Sequence, residues 1–119
     1  SSIAQYAALG AFTNEAEEVF EERRIAFQQR KSFLATELRS LGFVIPREIQ
    51  GAFYIYADIS RFSKDSEHFC NRLLNEHHVA ITPGIDFGQY KARQHVRFAF
   101  TTSMENLELG VERLKIALK

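Results

Sequence analysis

Four histidines, fifteen acidic residues and one cysteine are the raw material for metal or acid–base chemistry, and their spacing decides what they can do. His68 and Cys70 stand two apart on a segment with a helical pattern, so they face different directions. His77 and His78 are adjacent and cannot both point at one ion from a helix. No metal site is expected from them. The acids fall in helix-capping and solvent-facing positions, where hydration accounts for them without a catalytic pair. Asp86-Phe87-Gly88 spells the magnesium-binding tripeptide of protein kinases, but no Gly-rich loop, strand lysine or catalytic loop precedes it, so the likeness is false. Ser63-Lys64 has the look of a Schiff-base lysine, which must be desolvated to attack at neutral pH. Lys64 instead lies in the polar turn Ser63-Lys64-Asp65-Ser66 and is expected in water.

Arg97 is a different case. In Val96-Arg97-Phe98-Ala99-Phe100, strand alternation sends Val96, Phe98 and Phe100 to one face and Arg97 with Ala99 to the other. A guanidinium in so apolar a strand is either solvated or salt-bridged at an exposed edge, or placed in a cleft where an anion meets it. Ala99 leaves space beside it, and a planar fork of donors matches a carboxylate bidentately. Recognition of a small acid is therefore the functional reading. The residues alone leave both readings open.

The elements that must hold this arginine can be read from periodicity. Asn14 is a candidate N-cap with Glu17 completing a capping box, and Glu15, Glu17 and Glu18 suit the positive end of a helix dipole. Ala16, Phe20, Phe27, Leu34, Leu38 and Leu41 then form one apolar stripe ending at Gly42. Such a helix is about 40 Å long, against a diameter of roughly 35 Å for a compact domain of this size, so it is expected to reach past its own domain. Phe43-Val44-Ile45, stopped by Pro46, and Ala52 to Ile59, with Phe53, Ile55, Ala57 and Ile59 on one face, read as strands. Asp65 caps a helix turning Phe69, Cys70, Leu73 and Leu74 to the core and ending near His77-His78. Val79 to Thr82, cut by Pro83-Gly84, reads as a buried strand, and Val96 to Phe100 as another. Thr102 with Glu105 opens a last helix carrying Leu107, Val111, Leu114 and Leu118. The order implies an α+β fold, with helices packed on a small, mainly antiparallel sheet.

Composition narrows the classes. The chain has 119 residues, 45% of them apolar and 25% charged, which suits one globular core. Fifteen basic side chains balance fifteen acidic ones, so nothing favours non-specific nucleic-acid binding, and no window is long and apolar enough to cross a membrane. The single Cys70 cannot form an internal disulfide and the opening Ser1-Ser2-Ile3 is not a secretory signal, so a cytoplasmic location is the expectation.

The segments, in order, resemble the C-terminal part of class I/II aminotransferases, the pyridoxal-phosphate enzymes of fold type I related to aspartate aminotransferase. The likeness runs over nearly the whole chain: Ile3-Ala4-Gln5, Arg23-Arg24 and Arg30-Lys31 on the long helix, Gly42-Phe43, and Gly51-Ala52-Phe53-Tyr54. It continues through Leu73-Leu74-Asn75-Glu76, Val79-Ala80-Ile81-Thr82-Pro83-Gly84, Phe87-Gly88 and Val96-Arg97-Phe98-Ala99-Phe100. No single piece is decisive, but their order and spacing together are specific.

The resemblance implies that Arg97 grips the substrate α-carboxylate and that Phe53 lies near the substrate cleft, although a core phenylalanine on a strand fits Phe53 equally well. It implies pyridoxal 5'-phosphate as cofactor, an amino acid and a 2-oxo acid as substrates, and a homodimer. The family's Schiff-base lysine and its cofactor-binding groups lie upstream and map to no residue here, so no catalytic or cofactor-binding residue is expected in this segment. The sequence also opens without an initiator methionine. The expectation is thus a small C-terminal domain over 1–119, with about 1–30 as hinge helix and the cofactor-binding large domain absent, inactive by itself. The alternatives on the same fold are the ligand-sensing body of a transcription regulator and a pyridoxal-phosphate lyase.

Overall fold

The computed structural model describes residues 1–45 and 48–119; the expected strand stop at Pro46 lies outside the described residues. Four helices, α1 (Ser2–Leu9), α2 (Asn14–Leu41), α3 (Ser66–His77) and α4 (Met104–Ala117), accompany three strands, β1 (Tyr54–Asp58), β2 (Thr82–Pro83) and β3 (His95–Ala99). The sheet order is β1-β3-β2, antiparallel throughout, which is the α+β layer expected from the sequence.

The elements differ from the sequence reading at several places, each for a local reason. Thr13, not Asn14, caps α2: its backbone is extended and its hydroxyl accepts from the Ala16 N–H at 3.2 Å, while Asn14 is already helical. Ser103, not Thr102, caps α4, accepting from Asn106 N–H at 3.4 Å; Thr102 accepts from the Asn106 side chain. Phe43 to Ile45 makes no strand, because the chain touches the sheet at a single bridge, Val44 to Asp58. The 79–82 run shortens to Thr82–Pro83. There Pro83 sits within the edge strand, where it need not donate to a ladder, rather than ending it. Leu74 points outward, unlike Phe69, Cys70 and Leu73. Asp65 caps α3 as expected, its carboxylate accepting from Glu67 and His68 N–H, and Gly42 ends α2 with φ +100°. The short helix α1 precedes the long one, inside the 1–30 stretch expected as hinge helix, and is separated from it by a turn at Gly10–Phe12.

Alternation divides the sheet. Ile55, Ala57 and Ile59 with Val96, Phe98 and Phe100 face the helices and pack against Leu34 and Leu38 of α2, Phe69 and Leu73 of α3, and Leu107, Val111 and Leu114 of α4. Phe43 ties this core together, its ring lying within 5.2 Å of Phe98 and 4.8 Å of Phe62. The opposite face bears Tyr54, Tyr56 and Asp58, which pair across with Ala99, Arg97 and His95. No helix of the described residues is long and apolar enough to span a membrane.

The stripe on α2 is only half used. Leu34, Ala35 and Leu38 are buried, but Phe20, Val19 and Ile25 are exposed, as are Ile3, Tyr6 and Phe12 before them. With 28 residues the helix runs about 42 Å, most of the 49 Å long axis of the molecule.

Candidate substrate-carboxylate site

Arg97 stands mid-way along the central strand, on the sheet face that no helix covers. Its neighbours across the ladder are Tyr56 on β1 and Thr82 on β2, and all three share that face. Val96 and Phe98 anchor the strand in the core on either side, so the backbone under the arginine is fixed while its side chain projects outward.

The guanidinium sits among rings rather than acids. Its carbon lies 4.4 Å from the Phe87 ring centroid and 5.5 Å from that of Tyr54. Nη2 reaches Thr82 Oγ1 at a long 3.5 Å, and the buried Nε has no hydrogen-bond partner. Among the described residues no carboxylate is paired with it. A buried, unsatisfied donor costs on the order of 1–3 kcal/mol, so an arginine left this way is under-used by the chain itself.

An open cleft of about 510 Å³ lies in front of it, lined by Tyr54, Tyr56, Phe87, Gln89, Tyr90 and Arg97 among others. Partial burial raises the Tyr56 pKa, so its phenol stays neutral and able to donate. Tyr56 in turn stacks on His95, with ring centroids 4.9 Å apart and planes 8° from parallel. The cleft thus presents one cation, aromatic walls and neutral donors, a set suited to a small organic anion.

Phe53 is placed elsewhere. Half-exposed, it meets Tyr54 edge-on at 5.8 Å and lines a neighbouring hollow with Phe27, Lys31 and Phe100. Tyr54 stands between it and Arg97. The residue before it, Ala52, has φ +60°, a left-handed conformation that L side chains disfavour. Residues missed from sequence are Phe87 and the Tyr54 ring face: the Phe87 contact crosses a loop, and periodicity carries no signal for it.

Lys64 is exposed, as expected. Cys70 is buried, and burial pushes its thiol up to about 11, with the Asp86 charge adding to this; it is no nucleophile. Among the described residues no three His, Cys, Asp or Glu side chains gather as a metal set.

A profile of the family described as Aminotransferase class I and II matches residues 1–114. The chain belongs to this family. It is 37% identical to the valine–pyruvate aminotransferase of Mycobacterium tuberculosis over 94% of this chain and 29% of that protein. A crystal structure from Methanococcus jannaschii, described as similar in its active site to kynurenine aminotransferases, superposes with a TM-score of 0.89 at 35% identity, covering 98% of this chain and 30% of that one. The aspartate aminotransferase from Thermus thermophilus solved with maleate gives 0.83 at 39%, covering 100% of this chain and 30% of that one. The chain thus spans about three tenths of the length of these relatives.

Class I and II aminotransferases imply pyridoxal phosphate. The described residues do not gather the groups its site would need. The Arg97 cleft is lined by no lysine to take an aldehyde and no carboxylate to pair with a pyridine nitrogen. Lys31 donates to the Ile49 carbonyl at 2.9 Å, Lys115 pairs with Glu37, and Lys64, Lys91 and Lys119 are exposed.

Proposed function

We propose that this chain is the small C-terminal domain, with part of the hinge helix over about 1–30, of a longer pyridoxal-phosphate-dependent aminotransferase. That enzyme would move an amino group from an L-amino acid to a 2-oxo acid. The observation that carries this is Arg97: half-buried, held by aromatic rings, without an acid partner, and facing an open cleft in a chain of this family. Its role is to bind the substrate α-carboxylate.

Valine and aspartate, the amino acids in the names of the two relatives above, differ in side chain and share an α-carboxylate. Maleate, found with one of them, is a dicarboxylate. A fork on a rigid strand suits what such molecules have in common. The exposed apolar residues of α1 and the first half of α2 fit a helix that leaves one domain to pack on another. The cofactor is held by residues beyond this chain, and homodimer formation and a cytoplasmic location belong to the same proposal.

Orientation is the chemical contribution. Two parallel N–H donors fix a carboxylate in plane and azimuth, which presents the substrate amino group and Cα hydrogen in one direction and removes rotational freedom before reaction. The other chemistry is supplied by the cofactor.

The experiment is Arg97→Ala and Arg97→Lys in the longer polypeptide, with steady-state kinetics over several amino donors. Losing one side of a charge-assisted bidentate contact is worth about 2–5 kcal/mol, so kcat/KM falls by at least about thirtyfold for every donor. The cofactor's visible absorbance stays as in the wild type. Unchanged kcat/KM for Arg97→Ala across all donors refutes the carboxylate role.

A further inference from the structure

The carboxylate role leaves open what aims the guanidinium. An arginine side chain has many rotamers, and a free one would lose that freedom on meeting substrate. Arg97 has little hydrogen bonding to fix it: one contact to Thr82 at 3.5 Å and an Nε with no partner. What touches its face is Phe87, at 4.4 Å, closer than the other cation–ring contacts of the described residues, which run from 5.4 to 5.7 Å.

Phe87 is not placed there by the core. Its ring is 49% exposed, unlike Phe43, Phe69, Phe98 and Phe100, which are all buried. It follows a single 3-10 turn, Gly84–Asp86, and its N–H bonds back to the Gly84 carbonyl at 3.0 Å. Gly84 is itself pressed against Ala92, Tyr56 and His95, so the turn that presents the ring is seated on the same sheet as the arginine. A half-exposed ring on a rigid turn, covering a cation that has no acid partner, spends its face on that cation.

We propose that Phe87 is a positioning residue for the Arg97 guanidinium, its ring face holding the planar fork with its Nη edge toward the cleft. This rests on the carboxylate reading above. The guanidinium carbon lies over the Phe87 ring with Tyr54 at longer range, so neither ring takes up one of its hydrogen-bond donors, which stay available to an approaching substrate. The electrostatic attraction between cation and ring acts without consuming a donor, which a carboxylate or carbonyl partner would do. Pre-aiming the fork lowers the ordering cost of binding and is present before and after reaction alike, so it appears in KM rather than kcat.

The test compares Phe87→Leu, which keeps most of the volume and removes the ring face, with Phe87→Tyr, which restores the face, in the longer polypeptide and beside Arg97→Ala. Phe87→Leu is expected to raise KM for amino donors about three- to tenfold, the range of a partly exposed cation–π contact, with kcat within about twofold of wild type. Phe87→Tyr returns KM to the wild-type value. A purely structural role would lower the melting temperature and kcat together and would not be rescued by a ring alone. Wild-type KM in Phe87→Leu, or a Phe87→Tyr enzyme as impaired as Phe87→Leu, overturns the positioning role while leaving the Arg97 assignment to its own variant. Unchanged kcat/KM in Arg97→Ala removes the carboxylate reading and this proposal with it.

Discussion

Replacing Gly84 with alanine adds one methyl group where there is no room for it. Gly84 is buried at the start of the turn that carries Phe87, and a Cβ built on it would meet Tyr56 Oη at 2.6 Å, the His95 carbonyl at 2.7 Å and the Ala92 carbonyl closer still. Its φ is not in the left-handed region, so the substitution brings no backbone strain and the whole cost is steric. The Tyr56 ring end could swing aside, but the two carbonyls belong to β3 and to the turn before it and cannot. Ordinary contact begins at 3.4 Å, so the 84–86 turn must retreat by about 0.7 Å from the His95 carbonyl and by more from that of Ala92. Overpacking of that kind costs about 1–3 kcal/mol. With a urea slope of about 1–3 kcal/mol per molar, the unfolding midpoint of Gly84→Ala falls by roughly 1 M with an unchanged slope, read by far-ultraviolet circular dichroism. Because the Phe87 N–H is bonded to the Gly84 carbonyl, the same retreat lifts the ring from Arg97, and KM for amino donors rises in the longer enzyme. A urea curve superimposable on the wild type would refute the reasoning, since it would mean that the turn is not seated against Ala92 and His95.

Two further outcomes follow from capping. Thr13→Ala removes the hydroxyl that accepts from Ala16 N–H and costs the first turn of α2 about 1 kcal/mol; because that end of the helix touches no core residue, far-ultraviolet ellipticity falls slightly while the urea midpoint stays put, and a shifted midpoint would contradict this. Asp65 is held below the usual carboxylate range chiefly by the His68 backbone N–H; desolvation, next in size, opposes this, and the Glu67 N–H and then the Arg93 charge and hydrogen bond add to the lowering. A lowered folded-state pKa contributes stability above the unfolded-state value of about 3.9 that is lost as pH falls through the folded one, so acid melts of Asp65→Asn lack that increment and run flatter than wild type at the acid end. Parallel acid limbs for the two proteins would rule the contribution out.

What could be read in advance follows from the range of the signal. Strict alternation over Val96 to Phe100 placed Arg97 on the uncovered face, and the ladder confirms it, because a period of two allows only one choice once Val96 and Phe98 are buried. Strand lengths were overread where apolar runs served something other than a ladder: Val79 is buried but lies outside β2, and Phe43 fills the centre of the core while only Val44 bridges to the sheet. The caps shifted by one residue at Thr13 and Ser103 because each has a second polar residue beside it that could do the same work, and local sequence does not rank them. The bounds of helix α1, within the 1–30 hinge stretch, have no periodic signal because none of its residues is buried. Phe87 was legible as part of a motif and not as a partner of Arg97, since the two meet only through the fold.

The order β1-β3-β2 puts Arg97 on the one strand that is paired along both edges, with Tyr56 on one side and Thr82 on the other. Hydrogen exchange will find such a strand among the last parts to open, whereas the exposed stretch from Gly88 to Lys91, beyond the turn that seats Phe87, opens at less cost. The cleft therefore has two clocks: a cation whose anchor, with the Phe87 ring seated beside it, is as durable as the domain, and an outer wall at Gln89 and Tyr90 free to rearrange many times within that lifetime. Sequence change can then remodel the outer wall without loosening the arginine.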